Sequence, residues 1–233
     1  MQHIQETQEE IASWFNKTYS LRGDMYLRPV RAYRIFPKLL NVQEGESILD
    51  VACGLGRLLE AAQEHRLSLT GIDISKVAVE KARLKLPSAA IVQGNAEQLP
   101  FGDASFDYVT CLGSLERMID LSQVLQEIKR VSTPKARYCF LVRNSNGLTW
   151  KIKRGLGIIN KKGHQGAKTL EEWTGVFNDA GFKTISTYAD QYPIKKREIV
   201  TSLGLRKINY KAVSKPWLPF KYVHEYIFIL ENS

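Results

Sequence analysis

The chain has 233 residues, 44% of them hydrophobic, three cysteines and a formal net charge of +9 at pH 7. That length suits one large domain or two small ones with a substantial core. The start, Met-Gln-His-Ile-Gln-Glu-Thr-Gln-Glu-Glu, is polar and acidic, unlike a secretory signal. No apolar run approaches the roughly 20 residues that span a bilayer.

Residues 4–20 predict an amphipathic helix marked by Ile4, Ile11, Trp14, Phe15 and Tyr19. Residues 28–40 predict a second, starting near Pro29 and marked by Tyr33, Phe36, Leu39 and Leu40. A polar loop at 43–46 leads into a first strand at 48–51. Strands and helices then alternate: helix 57–64, strand 67–72, helix 76–84, strand 90–93, strand 106–112, helix 121–131 and strand 137–142. This alternation argues for an α/β fold, a mostly parallel, doubly wound sheet with helices on both faces. After residue 143 the rhythm breaks. Residues 144–168 are rich in Gly and Lys, and a helix resumes at 169–180. Thr169 and Glu172 form its capping-box pattern, and Gly181 stops it. A strand at 182–188, a basic stretch at 190–222 and a last strand at 225–230 complete the chain. The expected organisation is a single domain over residues 1–233, with a helical cap at 1–42 and two insertions. Cys53, Cys111 and Cys139 fall in or beside strands without metal-type spacing, so we expect no metal and free thiols in a reducing cytoplasm.

The most informative stretch is Ile48-Leu49-Asp50-Val51-Ala52-Cys53-Gly54-Leu55-Gly56-Arg57. An apolar strand ends in an acid, and a small-residue loop turns into a helix. Gly54 and Gly56 let a ligand approach the backbone, and the helix start offers N–H donors. The spacing is not the Gly-x-Gly-x-x-Gly of dinucleotide sites. Asp73, 23 residues after Asp50, ends the next strand ahead of Ile74 and Ser75. An acid there is placed to accept both hydroxyls of a ribose, or to cap the following helix; with the upstream loop, the ribose role is favoured. The third strand runs into Gly94-Asn95-Ala96-Glu97-Gln98-Leu99-Pro100-Phe101, and the fourth into Cys111-Leu112-Gly113-Ser114-Leu115-Glu116-Arg117.

Four such motifs in order, each past a predicted strand, resemble those of class I S-adenosylmethionine (SAM) dependent methyltransferases of the small-molecule, UbiE/UbiG-like type. The resemblance covers roughly residues 45–187 and the final strand. It implies a Rossmann-like, doubly wound seven-stranded sheet, mostly parallel with an antiparallel last strand. It implies SAM as cofactor, S-adenosylhomocysteine as product, and a methyl acceptor. It places Asp50, Ala52, Cys53, Gly54 and Gly56 around the donor, Asp73 and Ile74 at its ribose, and Asn95 and Ala96 at its adenine. Leu112 and Gly113 then lie under the sulfonium. The chain departs from the pattern at several points. Ala52 replaces a first glycine, which adds one methyl, and Asn95 replaces an acid. Arg117 stands where many relatives carry histidine, and Thr133-Pro134-Lys135-Ala136 lacks the usual glycines of the turn before the fifth strand.

Methyl transfer needs a base only when the acceptor must lose a proton. Glu116 and His164 are the candidates, weighed against a surface ion-paired acid and a solvent-exposed loop histidine. Tyr19, Tyr26, Arg28 and Tyr33 of the cap are candidates to close over the site, against ordinary packing. Residues 147–168 hold six Lys or Arg and no acid, and residues 190–222 hold eight against Asp190 and Glu198. Three partners suit this charge: an anionic small-molecule acceptor; an anionic membrane surface, met peripherally through Trp150, Ile152, Ile158, Ile159 and Trp217; and, third, nucleic acid. Solvated loop charge is the plain alternative. The expected function is methyl transfer to a small-molecule or lipid-like acceptor. The alternatives are a non-catalytic SAM-binding regulatory or assembly protein and a nucleic-acid methyltransferase.

Overall fold

The structure, a computed structural model, describes residues 7–148, 151–152, 166–190, 212–213 and 219–233. The strand β1 (Ser47–Val51) is buried at every residue from Ile48 onward. A strand covered on both faces reads as a continuous apolar run, which is why its sequence shows no alternation. Its side chains still divide: Ile48 packs on one side of the sheet, and Leu49 and Val51 on the other.

Around β1 stand β2 (Ser68–Asp73), β3 (Ala90–Gln93), β4 (Phe106–Leu112), β5 (Ser132–Arg143), β6 (Phe182–Asp190), β7 (Ala212–Val213) and β8 (Glu225–Asn232). The sheet order is β3-β2-β1-β4-β5-β8-β6-β7. The pairs among β1 to β5 are parallel, and β8 runs antiparallel to both β5 and β6. The expected seven strands with an antiparallel last strand are therefore present. The two-residue β7, paired to β6, adds an eighth at the edge. The chain winds outward from β1 to β3 and returns to β4, so β1 and β4 flank the switch point where such sheets open a crevice.

Helices cover both faces. On one lie α5 (Leu121–Val131), which buries Val124, Leu125, Ile128 and Val131, and α6 (Leu170–Asp179), which buries Trp173 and Phe177. The helical spacing of those residues makes one apolar stripe on each helix. Thr169 and Glu172 close the capping box on α6. On the other face lie α2 (Ile35–Leu40), α3 (Arg57–Ala62) and α4 (Lys76–Lys85).

The cap differs from its sequence expectation in one respect. Residues 28–40 are not one helix; they form a 3-10 turn, Val30–Ala32, and then the short α2. Pro37 is the reason. It has no N–H to give the Tyr33 carbonyl, and its ring would press on that oxygen, so Phe36 N donates there instead. The first cap helix, α1 (Gln8–Arg22), begins at a Thr7–Glu10 capping box; Ile4 lies outside the described residues. It docks through Asn16, whose Oδ1 accepts from Ser75 Oγ and Val77 N, and through Lys81 Nζ, which donates to the Tyr19 carbonyl. The cap helix is thereby fixed across the end of β2.

A second difference concerns β5. It starts five residues earlier than expected, and Thr133 to Ala136 are strand rather than turn. Without glycines the segment stays extended, and Pro134 sits in the register shift opposite Phe106 and Tyr108. Most of the basic stretches at 144–168 and 190–222 lies outside the described residues, including Trp150, Ile158, Ile159, His164 and Trp217.

Candidate active site

The loop after β1 is shaped by backbone strain and by one carboxylate. Ala52, Gly54 and Gly56 all have left-handed backbones, with φ of 58°, 53° and 72°. The departure at Ala52 is therefore conformational rather than a matter of one methyl's volume: a non-glycine residue pays about 1–2 kcal/mol for that backbone. At Gly54 a side chain has no room, because an added Cβ would lie 2.6 Å from the Tyr19 hydroxyl. At Gly56 a Cβ would meet Leu86 at 2.7 Å.

The N–H groups that the sequence offers to a ligand are in part used internally. Cys53 N donates to the Ile72 carbonyl, Gly56 N to the Cys53 carbonyl, and Gly54 N to Asp73 Oδ2 at 2.8 Å. Asp73 Oδ1 accepts from Ser75 N, also at 2.8 Å. Asp73 thus clamps the loop to the end of β2. It does not cap α4, whose N-cap is Ser75, accepting from Ala78 N. Each carboxylate oxygen keeps a second lone pair for another donor. Burial pushes the Asp73 carboxyl up to about 6, against the pull of the two N–H bonds. Asp50 is buried at the end of β1 with Oδ1 accepting from Thr110 Oγ1 at 2.7 Å. Burial pushes it up to about 7, Thr110 pulling it down and the Asp73 charge adding to the rise.

These residues face a cleft with two joined compartments. The first holds about 580 Å³ of open space between α1 and the ends of β2 and β3. Asp73, Ile74, Asn95 and Ala96 line it, with Gln8, Ile11, Phe15 and Met118 opposite. The second holds about 480 Å³. Asp50, Cys53, Gly54, Leu112 and Gly113 form its floor, under Phe15, Tyr26, Leu27 and Tyr33. Ala52, Tyr19, Ser114 and Arg117 line both. Cys53 is a buried free thiol, its pKa raised by burial.

The structure thus gathers ten of the eleven sequence-derived donor-site residues. Gly56 stands apart at the N-cap of α3, against Leu86. Asn95 is in a turn, with Oδ1 accepting from Glu97 N at 3.0 Å. Glu116 lines neither compartment. Its side chain is fully buried, with Oε1 3.2 Å from Arg143 Nε. Burial raises its carboxyl, with Arg143 and Arg117 opposing. His164 lies outside the described residues. Tyr19, Tyr26 and Tyr33 do close over the cleft, whereas Arg28 turns away to Asp190 and Glu225. Gln8, Ile11 and Met118 carry no motif; only the amphipathic period of α1 points to the first two.

Residues 49–140 match a family model described as a methyltransferase domain. Over 191 residues the chain is 42% identical to a demethylmenaquinone methyltransferase of Shouchella clausii, across 75% of this chain and 77% of that relative. It is 33% identical over 115 residues to an uncharacterized methyltransferase of Synechocystis sp., across 48% of this chain and 54% of the relative. The chain therefore spans about half the length of that second protein. A SAM-dependent methyltransferase structure from Aquifex aeolicus shares the fold with a TM-score of 0.62 and 16% identity, over 93% of this chain and 97% of that one. A close relative matched along three quarters of both chains agrees with a cleft at the sheet's switch point, and the chain belongs to the class I SAM-dependent methyltransferases.

Proposed function

We propose that the chain transfers the methyl group of SAM to a small, lipid-like acceptor held under the aromatic cap. The observation that carries this reading is the pairing of two buried carboxylates with an aromatic-roofed cleft that also carries Asn95, Ser114 and Arg117. Asp73 has the spare lone pairs to receive two ribose hydroxyls. Asp50 supplies negative charge in the second compartment, where a cationic group would sit. At Gly113 an added Cβ would meet nothing within 4 Å, which leaves space at the end of β4 for the reacting groups.

When bound, SAM supplies a methyl on a sulfonium that is already a good leaving group. The chain's own residues position the partners. Holding two reactants in line is worth about 7–11 kcal/mol in well-oriented models. Tyr19 and Phe15 close the cleft over the donor, and Tyr26, Leu27 and Tyr33 exclude water above Gly113. Glu116 is badly placed as a base, because its side chain is sealed beneath Arg143.

The relative's name makes demethylmenaquinone the first acceptor to try, supplied in its reduced form so that the ring is nucleophilic. Purified protein with methyl-labelled SAM and a short-chain demethylmenaquinol in detergent should yield labelled product. SAM binding without transfer to any fraction of a lipid extract would favour a regulatory protein. Absence of SAM binding would sink both readings.

A pH dependence follows from the two acids. An Asp raised above its ordinary 3.8 in the folded state keeps a proton that the unfolded chain has lost. The ligand-free fold therefore loses stability as pH rises through about 6 and 7. SAM binding works in the opposite sense, because its cationic groups and hydroxyls favour the ionised carboxylates. Affinity should rise on the order of tenfold from pH 5.5 to 8, with proton release seen as a buffer-dependent binding enthalpy. Asp50→Asn should flatten that dependence.

A further inference from the structure

We propose that Arg117 is the acceptor's recognition group, and that the acceptor presents an ionised oxygen: a carboxylate, a phosphate or a phenolate. The proposal rests on the methyltransferase reading above and adds the acceptor's charge to it.

Arg117 closes the 3-10 turn Leu115–Arg117, directly beyond β4. Its side chain lines both compartments, at the junction between the ribose end and the roofed space over Gly113. A guanidinium has five N–H donors. Here Nη1 donates to the Tyr26 hydroxyl at 3.2 Å, and Nε is buried with no hydrogen-bond partner. The guanidinium carbon lies 5.4 Å from the centre of the Phe15 ring.

The contrast with other arginines is informative. Arg57 reaches Asp24 and Glu60, Arg130 reaches Asp103 and Glu127, and Arg28 reaches Asp190 and Glu225. Among the described residues Arg117 has no ion pair within 4 Å, although its charge acts on the buried Glu116. A buried donor left without a partner is costly, and the Nε edge of a guanidinium suits a planar or tetrahedral oxyanion. Phe15 and Tyr26 hold the guanidinium in place, and they also form an apolar wall against which a ring could lie. The rest of the cleft carries two carboxylates, so an anionic acceptor would be repelled without a cation at this point. Arg117 supplies it.

The experiment is calorimetric titration of the whole chain, with and without S-adenosylhomocysteine. The probes are 1-naphthoate, 1-naphthyl phosphate, 1-naphtholate at alkaline pH and the neutral 1-naphthamide. At least one anion should bind about tenfold or more tightly than the amide, as expected for a charge-assisted contact in a shielded site. The tightest of the three identifies the oxyanion type. Arg117→Gln should erase the preference, and Arg117→Lys should recover part of it, showing that the protein has folded. S-adenosylhomocysteine affinity should change less than anion affinity in both variants, because the proposal assigns the guanidinium to the acceptor although its side chain also borders the donor's compartment. Equal binding of amide and anions by the unaltered protein overturns the proposal. So does a preference that survives in Arg117→Gln. A parallel fall in S-adenosylhomocysteine affinity assigns Arg117 to the donor's own carboxylate and overturns it as well. If S-adenosylhomocysteine fails to bind the unaltered protein, the methyltransferase reading fails, while the ligand-free titrations still decide the role of Arg117.

Discussion

Arg28→Met is expected to destabilise the protein by about 3–5 kcal/mol, the usual cost of breaking a buried ion network on one side. Arg28 leaves the cap just ahead of the 3-10 turn Val30–Ala32 and reaches the ends of two strands. Its Nη1 lies 2.8 Å from Asp190 Oδ2, and its Nη2 bonds Glu225 Oε2. Asp190 ends β6 and Glu225 begins the antiparallel β8, so their side chains meet at the same edge. Arg143 at the end of β5 approaches Glu225 at 3.8 Å and Glu116 at 3.2 Å. Burial alone would raise the Glu225 carboxyl, yet Arg28, His224 and Arg143 hold it below its ordinary value. A depressed carboxylate stabilises the fold above its unfolded pKa, and that contribution is lost as pH falls through the folded value. Without Arg28, Asp190 and Glu225 lose the cation they share, and with only His224 and Arg143 acting on Glu225 this part of the dependence weakens. Urea unfolding followed from about pH 3 to pH 8 reads both effects, because the depressed Glu225 titrates below its ordinary 4.5. Replacing the three side chains together by apolar ones should recover much of the loss. A cost below about 1 kcal/mol for Arg28→Met would mean that the network does not hold the cap, since exposed pairs contribute no more than that.

That network also shows where the sequence stops being legible. The strand ends were readable because each carries its own local signal: an apolar run, then an acid or a small-residue turn. Asp50, Asp73 and Leu112 fall at one edge of the sheet on sequence alone, because parallel strands place their carboxyl ends together. Arg28, Asp190 and Glu225 have no such signal. They are far apart in the chain and meet only because β8 reverses direction between β5 and β6. Glu116 reads as a pocket acid from its position after β4, but the 3-10 turn carries it beneath Arg143 and leaves Arg117 facing the cleft. The left-handed backbone at Ala52 was equally hidden, because composition shows a methyl and not a φ angle.

Asp73→Ala is expected to lower SAM affinity by about two to four orders of magnitude, because each hydrogen bond to a charged group contributes about 1.5–3 kcal/mol and, on the proposed reading, two ribose hydroxyls lose theirs. The variant also leaves the N–H groups of Gly54 and Ser75 without the acceptor they share. Some of its loss is therefore structural, through a loop that no longer holds its shape against Tyr19. Asp73→Asn separates the two effects. The amide keeps the size of the acid and one carbonyl acceptor, but it presents an NH₂ where the second acceptor stood. It also removes a carboxyl that burial makes costly to ionise, which at pH 8 offsets the one backbone N–H bond that the NH₂ cannot accept, so the ligand-free fold should be about as stable as the unaltered protein. Calorimetry with S-adenosylhomocysteine and unfolding at pH 8 should therefore diverge, with affinity down and stability held. If instead Asp73→Asn unfolds more readily while its affinity stays within about threefold, Asp73 serves the loop and not the ribose, because a lost charged hydrogen bond costs more than that. The donor site would then rest on Asp50 and the backbone of residues 52–54 alone.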